Sequence, residues 1–195
     1  MKKINLCLIF ILFFTNLQAQ NLSYGPLIGG NFYQSNNDSS ANQFISDANP
    51  FAINLGGYLE YNFNENIGIK TDLTFNKKEL SYKSATNFRL NFIDVSPNFK
   101  YDFGNEYRKG FYIIVGPRFS FLTNAEVEGE DASDIFNKTN IGVQLGLGQR
   151  IFNYIDIQGK FDYGITPFFE IESNKSKFFG AYISLNVDLE KIINK

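Results

Sequence analysis

The sequence predicts an all-β protein, an eight-stranded antiparallel up-and-down transmembrane β-barrel. Three observations predict it: apolar and polar residues alternate over eight segments, the charges of those segments fall on one parity, and connections alternate between short and long. A strand sends successive side chains to opposite faces, so strict alternation gives one apolar and one polar face.

The apolar face reads as follows in chain order. Segment 22–32 offers Leu22, Tyr24, Ile28 and Phe32; segment 51–63 offers Phe51, Ile53, Leu55, Leu59, Tyr61 and Phe63. Segment 67–75 offers Ile67, Ile69, Leu73 and Phe75, and segment 93–103 offers Ile93, Val95, Phe99, Tyr101 and Phe103. Segment 111–121 contributes Phe111, Ile113, Val115, Phe119 and Phe121; segment 141–151 contributes Ile141, Val143, Leu145 and Leu147. The last two are 155–165, with Ile155, Ile157, Phe161, Tyr163 and Ile165, and 179–189, with Ala181, Ile183, Leu185, Val187 and Leu189.

This parity holds no Asp, Glu, Lys or Arg. The other holds twelve: Glu60, Lys70, Asp72, Asp94, Lys100, Asp102, Arg118, Arg150, Asp156, Lys160, Asp162 and Asp188. The segments run nine to thirteen residues, near the roughly 9–11 of a tilted strand crossing a bilayer and beyond the roughly 5–6 of an ordinary strand. Connections 64–66, 104–110 and 152–154 are short, whereas 33–50, 76–92, 122–140 and 166–178 are long and mostly polar. Short turns at one end and long loops at the other, with both termini at the short end, are the barrel signature. Tyr61, Phe63, Tyr101, Phe103, Phe111 and Tyr154 sit near the short turns, and Phe32, Phe51, Phe75, Phe119, Phe121 and Phe179 near the long loops. Two such bands fit the aromatic girdles at the two membrane interfaces.

Composition narrows the function. The chain has 195 residues, no histidine, no tryptophan, one cysteine, and 18 basic against 20 acidic residues for a net charge of −2. Without histidine there is no Ser-His-Asp or Cys-His catalysis and no histidine metal site. One cysteine excludes a disulfide framework, and the near-neutral charge gives no electrostatic handle on nucleic acid. At the N-terminus, Lys2 and Lys3 precede the apolar run 6–14, and Leu17-Gln18-Ala19 ends in a small residue. This predicts a signal peptide over 1–19 and a barrel domain over 20–195, with Cys7 inside the apolar run and away from the cleavage point.

Three stretches resemble a known family. Phe92-Ile93-Asp94-Val95-Ser96-Pro97-Asn98-Phe99-Lys100-Tyr101, Phe111-Tyr112-Ile113-Ile114-Val115-Gly116-Pro117 and Lys160-Phe161-Asp162-Tyr163-Gly164-Ile165-Thr166 look like the fourth, fifth and seventh strands of the small outer-membrane β-barrel domain called PorT-like or "porin family". The resemblance implies the outer membrane of a Gram-negative bacterium, contact with outer-membrane lipid, and a protein partner if the chain is an accessory subunit of an export or assembly system. Two features depart from the family pattern: Pro97, one place late, with Ser96-Pro97 predicting a bulge, and the tail 190–195 beyond Leu189.

An eight-stranded barrel is wide enough inside only for its own side chains, and charges buried there must pair. The candidate site is therefore a lumen charge network of Glu60, Lys70, Asp72, Lys100, Arg118, Arg150, Asp156, Lys160 and Asp162. Register about the short turns sets Glu60 opposite Lys70 and Arg150 opposite Asp156. This reads as a plugged, salt-bridged core. No catalytic, metal or cofactor site is predicted. Gly142, Gly146 and Gly148 lie in a strand and make room for neighbours such as Arg118 or Arg150. Asp156 and Asp162 stand about 20 Å apart along one strand, too far for paired-carboxylate hydrolysis at about 5–10 Å. The acidic stretch 126–134 lacks the spacing of a calcium loop. The expected function is a non-enzymatic barrel of structural or surface-interaction type. The alternatives are the accessory subunit, a narrow solute channel, and a soluble lipocalin-like binder with its apolar face inward.

Overall fold

The computed structural model describes residues 22–37, 44–45, 51–82, 86–104, 110–171 and 174–193. The expected signal peptide, with Cys7, lies outside the described residues. Eight long strands follow: β1 (Leu22–Asn37), β2 (Ala52–Asn62), β3 (Ile67–Tyr82), β4 (Thr86–Asp102), β5 (Phe111–Val127), β6 (Thr139–Phe152), β7 (Ile155–Gly164) and β8 (Asn174–Val187). Each pairs antiparallel with the next, and β1 pairs with β8 from Leu27↔Asn186 to Asn37↔Ser176. The sheet is thus a closed eight-stranded barrel without free lateral edges. A short helix, Leu189–Ile193, follows β8.

The faces sort as the parity requires. Of the twelve charged side chains, eleven are buried and Arg150 is nearly so, while Ile28, Leu55, Leu73, Phe99, Leu145, Phe161 and Leu185 point outward and exposed. A lipocalin-like arrangement, with the apolar set inside, is thereby excluded. Outward rings meet in pairs at both rims: Phe32–Phe51 at 5.3 Å on the long-loop side, Tyr61–Phe63 at 5.5 Å and Tyr101–Phe103 at 5.2 Å on the short-turn side.

The long connections are the main correction. Connection 76–92 is almost entirely strand: the β3–β4 ladder runs unbroken from Ile67↔Tyr101 to Tyr82↔Thr86. β1, β5 and β8 also extend into segments read from the sequence as loop. A strand of 17 residues, such as β4, is roughly 55 Å long. At the usual barrel tilt it rises roughly 40 Å, against an apolar band of roughly 25 Å, so about a third stands clear of the membrane as a crown. The sequence reads as loop there because the chemistry of its two faces exchanges while the alternation continues.

The bulge is also displaced. No register shift occurs at Ser96-Pro97; it lies between Asn91 and Phe92. The pairings Val95↔Phe119 and Phe99↔Val115 instead set Pro97 across from Pro117. Two residues without an N–H face each other, which interrupts the ladder without shifting it.

Candidate functional site

Inward side chains of all eight strands meet in the lumen. Nearest the short turns, Lys100 Nζ lies 2.8 Å from Glu60 Oε1 and 2.7 Å from Asp102 Oδ2. One level further in, Lys70 lies 3.2 Å from Asp156 and between the rings of Tyr58 and Tyr112, at 4.7 and 5.3 Å. Tyr112 donates its hydroxyl to Asp156 at 2.9 Å. At mid-height, Lys160 pairs with Asp72 at 2.8 Å, and Gln158 Nε2 donates to the same carboxylate at 3.1 Å. Above it, Arg118 Nε lies 2.9 Å from Asp162, which also accepts from the Tyr33 hydroxyl at 2.8 Å. The other Arg118 nitrogens donate to Ser120 and Asn140.

Register and partnership differ. Glu60 does stand opposite Lys70 in the β2–β3 ladder, yet Glu60 pairs with Lys100 and Lys70 with Asp156 across the lumen. Long inward lysines reach over the narrow interior more readily than they fold onto a flanking strand. Arg150 stands opposite Asp156, 3.9 Å from it, but lies closer to Asp188 at 3.1 Å. The glycines make room as expected, but Gly146 and Gly148 do so for Lys160 and Tyr112. A Cβ on Gly142 would come within 2.7 Å of Arg118 Nη2, and one on Gly148 would meet the Tyr112 ring at 2.2 Å, not Arg150. Such packing matters because each lumen charge removed from water costs several kcal/mol unless partners hold it.

Sequence reasoning missed Lys78, which lay in supposed loop. It is fully buried, 3.4 Å from Asp94, with Nζ 4.6 Å from the ring centres of Tyr33, Phe92 and Phe178. It marks a change of filling. Below it Asp94 accepts from Asn76, Ser120 and Tyr182. Above it lies an apolar core of Tyr33, Leu80, Phe88, Leu90, Phe92, Phe136, Phe168 and Phe178, joined by Ala125, Phe169 and Tyr182. Phe168 stacks on Phe178 at 4.1 Å, and Phe136 reaches Phe88 at 5.6 Å. Continuing the even parity of β3 past Phe75, through Asn76, Lys78 and Leu80, is the signal that would have found this core.

A void of about 10 Å³ lies at mid-lumen, lined by Leu27, Asn54, Thr74, Ser96, Gln144, Lys160, Tyr182 and Ser184. That is room for about one water molecule. The acidic stretch is engaged: Glu126 faces Arg89 at 3.4 Å, Asp134 faces Lys138 at 3.3 Å, and Asp131 accepts from Ser133. Among the described residues, no three acidic, cysteine or histidine side chains are placed to hold a metal ion.

A closed eight-strand barrel with an apolar outer wall and a charged interior has the build of a membrane barrel, apolar toward lipid and polar within. The chain matches the family model described as outer membrane protein beta-barrel domain over residues 18–170, and it belongs to that family. The family places it in the outer membrane, its apolar wall against lipid. No curated protein sequence matches it. Among solved structures it is similar to Ail, the attachment invasion locus protein of Yersinia pestis, in complex with the heparin analogue sucrose octasulfate. That match has 15% identity and a TM-score of 0.48, covering 84% of this chain and 99% of that one. It is similar to Neisserial surface protein A (16% identity, TM-score 0.49, covering 86% and 97%). A further similar structure is the outer membrane protein OprG of Pseudomonas aeruginosa (12% identity, TM-score 0.41, covering 86% and 88%).

Proposed function

We propose that this protein is a non-enzymatic outer-membrane barrel of structural or surface-interaction type. Segment 1–19 directs its export, its lumen is plugged by paired charges, and its crown and loops form the working surface. The continuity of the filling carries this reading. Ion pairs occupy the lumen from Lys100 up to Arg118, the aromatic core begins where they end, and the mid-lumen void holds about one water. A narrow ion path would need a connected wet column, and the ion pairs of Lys100, Lys70, Lys160 and Arg118 stand across its course. Loops and strand ends on a rigid scaffold are where binding is usually carried.

The test is electrical. Purified protein in planar bilayers is expected to leave the membrane sealed. Stable unitary conductance steps, lost when the protein is denatured, would establish the channel reading in its place.

The PorT-like resemblance favours a second reading, an accessory subunit of an export or assembly system. Its stretches 92–101 and 111–117, and 160–164 of the third, form barrel wall, so they carry architecture more than partner choice. Native size in mild detergent separates the two: a monomer supports the stand-alone barrel, a stoichiometric complex the accessory role.

A further inference from the structure

We propose that the C-terminal helix Leu189–Ile193 is a lipid anchor, its apolar face seated in the phospholipid of the periplasmic leaflet. The observation begins with a gap in the lower girdle. Outward rings stand at the short-turn ends of β1 (Tyr24), β2 (Tyr61, Phe63), β4 (Tyr101, Phe103), β5 (Phe111) and β6 (Phe152), and Tyr154 precedes β7. β3 starts with Ile67 and Ile69 after the turn 64–66, and β8, between β7 and β1, ends in Leu185 and Val187; neither strand carries an aromatic side chain there, and of these two ends only that of β8 leads into a helix. The helix leaves the barrel in this sector and packs against β1.

Its sequence has the required face. Leu189, Ile192 and Ile193 stand at i, i+3 and i+4, one side of a helix, with Glu190 and Lys191 off that side. No residue of the helix is buried, and Ile192 and Ile193 are 44% and 67% exposed, in the range of the lipid-facing residues Phe152 at 62% and Tyr154 at 40%. The exit is fixed. The Asp188 N–H donates to the Tyr154 carbonyl at 2.8 Å, its carboxylate lies 3.1 Å from Arg150, and it accepts from the Lys191 N–H at 3.4 Å. A five-residue helix is far below the length that is stable alone in water. An exposed apolar stripe that follows the outward Leu185 and Val187 in the chain, beside charged residues, suits the membrane interface. Asp188 then both pairs with Arg150 and aims the stripe at the leaflet.

The chain has no tryptophan, so a single introduced indole reports cleanly. Ile193→Trp, Phe152→Trp as girdle reference and Ile135→Trp as a crown-side reference exposed to water are refolded into phospholipid vesicles with and without brominated acyl chains. Heat-modifiable gel mobility confirms folding. If Ile193→Trp does not fold, Ile192→Trp carries the same test. The Ile193→Trp emission is expected to match Phe152→Trp, blue-shifted from Ile135→Trp, quenched by brominated lipid and protected from iodide. Emission matching Ile135→Trp, open to iodide and indifferent to brominated lipid, would overturn the proposal and leave the helix in water. Protection from both quenchers that appears only as the protein-to-lipid ratio rises would overturn it in favour of a second copy covering the stripe.

Discussion

The lower and upper parts of β3 make opposite use of one alternation. Below Phe75 the inward positions are Lys70, Asp72 and Thr74, and the outward ones Ile69, Leu73 and Phe75. Above it Leu80 is fully buried, while Lys77 and Glu79 face outward as an ion pair. β4 repeats the exchange: Asp94 and Lys100 are inward below the bulge, Phe88, Leu90 and Phe92 are inward above it, and Arg89 is outward between Glu79 and Glu126. Along β3 and β4 the alternation itself runs on; the surrounding solvent is what changes. Against hydrocarbon the outer face must be apolar, so polar groups collect and pair inside. Against water the ordinary rule returns, and burying aromatic area drives the crown together.

The largest expected effects separate the two fillings by what a double substitution does. Arg118→Met leaves the Asp162 carboxylate buried with Tyr33 as a remaining donor, a cost of about 3–5 kcal/mol. Adding Asp162→Asn removes the stranded charge, so the double variant is expected to regain more than half of that. In the crown, Phe168→Ala costs about 3–5 kcal/mol through the cavity it opens. Adding Phe178→Ala, its stacking partner, should lower stability further. Urea unfolding in detergent reads both cycles. If Asp162→Asn rescues nothing, the lumen is held by packing and the contrast with the crown fails.

A smaller pair of effects locates the boundary between the regions. Leu145 faces outward at 59% exposure, paired between Val115 and Phe161. Leu145→Arg is expected to cost about 2–4 kcal/mol or to block insertion, as a lipid-facing charge at mid-depth does. Arg89, also outward, stands in the crown at half exposure with two partly buried carboxylate neighbours. Arg89→Leu should therefore shift stability by less than about 1 kcal/mol. Refolding yield and urea midpoints in lipid vesicles measure both. A clear gain from Arg89→Leu would put that position in the bilayer and move the boundary up β4.

How much of this was legible follows from what alternation encodes. Strand number, faces and short turns were readable because lipid forces one parity to be free of charge, and the chain obeys this throughout the eight wall segments, from Ile67 to Phe75 on β3 and from Ile93 to Asp102 on β4 among them. The crown was not, because charge placement marks the faces of the wall and it inverts past Lys78. Ion-pair partners were readable only as far as register goes. Register sets Arg150 near Asp156, but the choice of Lys100 for Glu60 depends on reach across a closed interior, which requires knowing which distant strands face each other. The aromatic core was hidden for the same reason: Phe136 and Phe168 come from separate connections and meet over Phe178 only once the barrel closes.

The smallest expected effect lies at the crown's edge, where water is on every side and the fold depends on local hydrogen bonds. Asp131 Oδ1 accepts from the Ser133 hydroxyl at 2.6 Å and from the Ser133 N–H at 3.0 Å. These two donors, the hydroxyl first, hold the Asp131 carboxyl below the ordinary carboxylate range. Because the folded value is lowered, the contact contributes fully above the ordinary range and fades as the pH falls through the lowered value. Acid should therefore loosen the turn that carries Asp131 while leaving the lumen and the aromatic core in place. Ser133→Ala removes the stronger donor, so Asp131 should titrate at higher pH and the turn should loosen earlier on acidification. Carbon-detected NMR titration of the Asp131 carboxyl measures the first effect, and amide exchange at Ala132 and Ser133 the second. An unchanged Asp131 titration in Ser133→Ala would mean that the hydroxyl does not hold it. The turn would then be fixed by its backbone ties to β5, the Ala132 N–H to the Ala125 carbonyl among them.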